Sequence, residues 1–125
     1  MSSYDQLHIL SRYILPEEII DNFDIVGIEE KSDVLHIQLD EQLILPEGHS
    51  KDTISPNGFF PSSSFFDFPI RNRKVVLHIR RRRWLEKDTG KSLSRSLEIA
   101  ACGTRYTESF ATFLKEVLGY TPHPH

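Results

Sequence analysis

A chain of 125 residues, 38% hydrophobic and 26% charged, has the size of one domain or two small subdomains and is too apolar to be wholly disordered. No run approaches the ~20 apolar residues of a membrane span, and Met1-Ser2-Ser3-Tyr4-Asp5 lacks the basic and apolar regions of a signal peptide. A cytoplasmic protein with no membrane partner is therefore expected. The single cysteine, Cys102, excludes an intramolecular disulfide and reads as a small buried hydrophobe.

In chain order, residues 4–15 place Leu7, Ile9, Leu10, Tyr13 and Ile14 at helical spacing, with Ser3 or Asp5 as a cap. Pro16-Glu17-Glu18 opens a second short helix to about Asn22. Residues 23–30 and 34–39 read as two strands joined at Lys31-Ser32-Asp33. In the second strand Leu35, Ile37 and Leu39 share an apolar face, and His36 falls on the polar one as a solvated residue. Residues 46–64, rich in Pro, Gly, Ser and Asn, read as linker. The phenylalanines at 59, 60, 65, 66 and 68 either plug the join between two halves or form a platform for stacking bases.

Beyond the linker, residues 66–70 form a short strand, Arg71-Asn72-Arg73 a turn, and residues 74–85 a long strand. Residues 87–91 turn again and 93–101 return as a third strand before Gly103. A final helix runs to about Leu118, closed by Gly119 and Pro122. Its stripe Phe110, Phe113, Leu114, Val117 and Leu118 is suited to covering a sheet face. The expected fold is α+β: N-terminal helices with a β-hairpin, then a three-stranded antiparallel meander packed by a C-terminal helix. The expected organisation is an acidic subdomain at residues 1–57, a linker at 58–65 and a basic part at 66–125.

Charge divides the same way. Residues 1–57 hold 12 acids against Arg12, Lys31 and Lys51, a balance of about −9, whereas residues 71–95 hold 10 bases against Glu86 and Asp88, about +8. Arg80 to Arg83 end the long strand, and alternation puts guanidinium groups on both its faces. Buried arginines are costly without partners, so either acids of the fold or a polyanion must surround them. An arm projecting beyond the final helix would carry the arginines to phosphates or into a groove.

Asp67-Phe68-Pro69-Ile70, Lys74-Val75-Val76-Leu77-His78-Ile79 with Arg80 to Arg83, Gly103-Thr104-Arg105-Tyr106-Thr107 and the helix at 110–118 follow in order. Together they resemble the N-terminal region of bacterial insertion-sequence transposases, a zinc-ribbon-like segment preceding a DDE-type catalytic domain. The resemblance covers about residues 66–119. It implies DNA binding in transposition of a mobile genetic element, with element-end DNA and a separately encoded DDE-type transposase as partners. Arg71, Arg73, Lys74, Arg80, Arg81, Arg82, Arg83, Lys91, Arg95 and Arg105 would be the DNA contacts.

The zinc-ribbon form carries two cysteine pairs that this sequence lacks, so no metal or other cofactor is expected, and Trp84 with the phenylalanines would pack in place of zinc. His123 and His125 read as a frayed terminus. No Gly-x-Ser-x-Gly elbow or complete phosphate-binding loop is present; Gly90-Lys91-Ser92 lacks the upstream glycine. The expectation is a noncatalytic DNA-binding module. Its alternatives are an inactive transposase remnant or a protein-interaction module using the acidic half, with the arginines as an internal counterweight.

Overall fold

The computed structural model describes residues 3–100, 104–117 and 119. Cys102, Gly103, Leu118, Pro122 and the histidines at 123 and 125 lie outside them. Helix α1 (Ser3–Ile14) is followed by α2 (Glu17–Asn22), which starts after Pro16 with Glu17 and Glu18 in its first turn. Arg12 Nη1 donates to Asp21 Oδ1 at 2.5 Å and so ties the two helices. Ile19 and Ile20 of α2 are buried.

The next two strands, β1 (Phe23–Lys31) and β2 (Val34–Glu41), form the expected antiparallel hairpin. Ser32 and Asp33 take φ of 53° and 61°, the left-handed pair that a two-residue hairpin turn requires. The register shifts between Ile25 and Gly27, leaving Val26 as an extra residue in a bulge. The Gln38 side-chain amide lies over Gly27, so a larger residue there would have to displace that flexible side chain.

The stretch read as linker contains a strand, β3 (Ile54–Phe59). Pro56 fits because β3 lies at a sheet edge, where its missing N–H breaks no ladder. Then come β4 (Ser63–Ile70) and β5 (Arg73–Arg80), turning at Arg71 and Asn72 with φ of 52° and 67°. They are followed by β6 (Arg82–Glu86), β7 (Ser92–Leu93) and α3 (Glu108–Val117). One sheet has the order β1-β2-β5-β4, with β2 and β5 parallel; the other has the order β3-β6-β7. Both sheets therefore combine strands from the acidic and basic parts of the sequence.

The fold is mixed α+β with a four-stranded sheet, a three-stranded sheet and a C-terminal helix. Its strands differ from the expected meander in two places. The long strand is interrupted at Arg81, so β5 stays in the first sheet and β6 enters the second. The returning strand is reduced to two residues of β7 because the chain beyond it turns inward, packing Leu97 and Ile99 on the core.

That core also differs from expectation. Val75, Leu77 and Ile79 are covered not by the final helix but by Leu15, Ile19, Ile20, Phe23 and Ile99, which cluster with Ile37 and Leu39. Burying each such aliphatic side chain stabilises the fold by about 1.5–3 kcal/mol. Helix α3 instead docks beside β4, where Phe68 meets the rings of Phe110 and Phe113 at 5.1 and 5.3 Å. Its Val117 stays 64% exposed. No helix among the described residues is long and apolar enough to cross a membrane.

Candidate functional site

The break at Arg81 makes the arginine run a corner between two sheets rather than a projecting arm. The β2–β5 ladder ends at the Asp40–Arg80 pair, and the chain then bends. Beyond the last rung, the main-chain N–H of Arg82 donates to Glu41 Oε1 at 2.8 Å. The N–H of Phe60 donates to the Arg81 carbonyl at 2.9 Å. Backbone groups released by the change of sheet are thus satisfied at once, as buried main chain requires.

The guanidinium groups are engaged there too, which corrects the expected projecting arm: Arg80 and Arg81 meet carboxylates, while Arg82 and Arg83 meet main-chain carbonyls. Arg80 donates to both oxygens of Asp40, at 2.7 and 2.6 Å, a bidentate pair. The hydrogen bond from Arg80 holds the Asp40 carboxyl below its ordinary pKa of 3.8. Arg81 Nε donates to Glu41 Oε1 at 2.9 Å, and its Nη2 donates to the Arg95 carbonyl. Arg82 Nε donates to the Glu41 carbonyl at 2.9 Å. Arg83 Nε donates to the Asn57 carbonyl at 3.1 Å. Arg95 reaches Glu41 Oε2 at 3.4 Å and Asn22 Oδ1 at 2.9 Å. The Glu41 side chain is fully buried at the centre of this network.

Aromatic rings complete the corner. The guanidinium carbons of Arg80 and Arg82 lie 4.1 and 4.2 Å from the centroid of Phe59, and that of Arg83 lies 5.9 Å from Phe60. Both rings, considered above as a base-stacking platform, are occupied by the chain's own cations. Phe66 faces Tyr106, and Phe68 faces α3.

The other proposed contacts do not join the corner. Arg71 sits exposed in the β4–β5 turn, Arg73 pairs with Glu30, and Lys74 is exposed at the start of β5. Arg73 and Arg80 end an eight-residue strand, a separation of about 23 Å at the usual rise per residue. Lys91 lies exposed beyond the β6–β7 turn, and Arg105 Nη1 donates to the Ser64 carbonyl at 3.3 Å. The ten residues therefore fall into separate groups, and in the corner group Asp40 and Glu41 offset part of the charge of five arginines.

Two polar clusters escaped the sequence reading. His36, expected to be solvated, is half-buried: its Nδ1 lies 2.8 Å from His78 Nε2, and His78 Nδ1 lies 3.0 Å from Ser64 Oγ. Burial, with His36 adding to it, lowers the His78 pKa from 6.5. Asp67 is buried on β4 and accepts the Thr107 hydroxyl at 2.8 Å, fixing the residue before α3; burial raises its pKa. The β4–β5 pairing would have suggested Ser64 beside His78, but the parallel β2–β5 pairing that adds His36 has no local signal. Among the described residues no group of three or more His, Cys, Asp or Glu side chains is arranged to hold a metal.

Comparison with protein-family models, curated proteins and solved structures finds no match to this chain.

Proposed function

We infer that this chain is a protein-interaction module whose acidic N-terminal half binds a basic surface of a partner. One observation carries the reading: the break at Arg81 lays the arginine run against the protein itself, with Arg80 and Arg81 on Asp40 and Glu41 and with Arg82 and Arg83 on main-chain carbonyls, rather than projecting it as an arm. The acids left over face solvent. Asp24, Glu29 and Asp33 are exposed along the β1–β2 hairpin, with Ile25, Val26 and Ile28 exposed among them. Acidic and apolar groups side by side suit a cationic partner that also has hydrophobic contacts to offer.

The transposase-like reading would rest on the exposed Arg71, Lys74, Lys91 and Arg105, with Arg80 exposed but held by Asp40. These occupy different turns and strands, which favours it less. The two readings separate in one titration at low ionic strength, with polylysine in one arm and duplex DNA in the other. The interaction reading predicts salt-sensitive binding to polylysine and none to the duplex. Duplex binding whose logarithm falls with log salt at about −0.9 per phosphate contacted would overturn it.

A further inference from the structure

The four-stranded sheet has two edges, and the chain treats them differently. At the β4 edge, residues 105–107 lie alongside the strand: the Phe66 N–H donates to the Arg105 carbonyl at 2.7 Å, and the Thr107 N–H to the Phe66 carbonyl at 2.9 Å. That edge is covered. At the other edge, β1 presents nine residues with no neighbouring strand among the described residues. Free backbone donors and acceptors along a strand of this length form a template for another strand. Charges at Glu29, Glu30 and Lys31 mark its far end and Asp24 and the bulge at Val26 its near end, while Ile25, Val26 and Ile28 are 37%, 57% and 63% exposed.

The register assigns the side chains of β1 to faces. Asp24 and Glu29 lie opposite Asp40 and His36, on the face turned away from the core. Ile25 and Ile28 lie opposite the buried Leu39 and Ile37, on the core side at the margin of the sheet. An added strand would meet carboxylates on one face and aliphatic groups on the other. Alternating basic and apolar residues match that pattern, because side chains of neighbouring strands pair across the same face.

A second copy of β1 does not match. Antiparallel self-pairing about Gly27 brings Asp24 opposite Glu29 or Glu30, and parallel pairing in register sets each acid against itself. We propose that β1 is a strand-addition site for an extended segment of a partner protein, alternating Lys or Arg with aliphatic residues. The segment would extend the sheet to five strands, its main chain bonded to the free edge of β1. This proposal rests on the acidic-interaction reading above and gives it a place and a ligand class.

The test uses the full chain and three probes: a capped peptide alternating lysine with valine, its glutamate–valine counterpart, and polylysine. The expected result is binding of the lysine–valine peptide, with amide-exchange protection confined to residues 23–31, and no binding of the glutamate–valine peptide. Ile28→Lys with Glu29→Lys should weaken the lysine–valine peptide by about tenfold or more, through like-charge opposition at the edge. Both positions are exposed, and Glu29→Lys alone should give a smaller loss in the same direction should the double change perturb folding. Binding of polylysine and peptide that the variants leave unchanged, with protection elsewhere, would overturn strand addition but leave an acidic interaction surface. Failure of both cationic probes to bind would overturn the two readings together.

Discussion

Glu41 has no solvent-exposed side-chain surface, yet it accepts from the side chains of Arg81 and Arg95 and from the main chain of Arg82. Glu41→Ala would leave two half-buried guanidinium groups and a main-chain amide without their acceptor. Removing one partner of a buried ionic network typically costs about 3–5 kcal/mol, far more than loss of an exposed pair. Urea denaturation should show that loss as a lowered midpoint; a midpoint within error of the parent would mean that the network carries no stability. His78 gives a residue-scale test in pH. Its pKa is lowered on folding, so the unfolded chain binds the proton more readily, and stability is lost as pH falls below about 6.5 towards the folded value. His78→Gln should flatten the thermal midpoint across that window. His36, Ser64 and Gln38 face the ring from neighbouring strands, and Glu29 lies across from His36, so the parent curve reports their combined setting.

At the scale of elements, local signals were readable and pairings were not. Helical spacing and Pro16 announce α1 and α2, Lys31-Ser32-Asp33 announces the first hairpin, and Arg71-Asn72 announces the β4–β5 turn. Each depends on residues within a few positions of one another. The parallel β2–β5 ladder joins residues 40 positions apart, and nothing local marks it. The break at Arg81 follows from that ladder, because Glu41 arrives beside Arg82 only when β2 and β5 are neighbours. The candidate site was legible in part for the same reason. Opposed acidic and basic halves are visible in the sequence, while the partner of each arginine depends on register. The last rung offers its own prediction. Asp40 is held below the usual carboxylate range on folding, so its contribution is present above that range and is lost as pH falls through the folded value. Asp40→Asn should reduce the acid-side slope of stability without altering the slope in the window where His78 titrates.

At the scale of the molecule, charge separated along the sequence becomes charge paired in space. Asp40 and Glu41 from the acidic half meet Arg80, Arg81 and Arg95 from the basic half, and Glu30 meets Arg73 at the other end of the sheet. The pairing joins both halves into one structure and leaves the outer edge of the β1–β2 hairpin acidic and apolar. A double-mutant cycle on Glu41→Gln and Arg81→Met tests this most directly, because the cycle isolates the interaction between the two side chains. The account predicts a favourable coupling free energy of about 0.5–3 kcal/mol, the range found for groups in one network. Additive effects, with Arg81→Met leaving stability unchanged, would mean that the arginine run is not held from within.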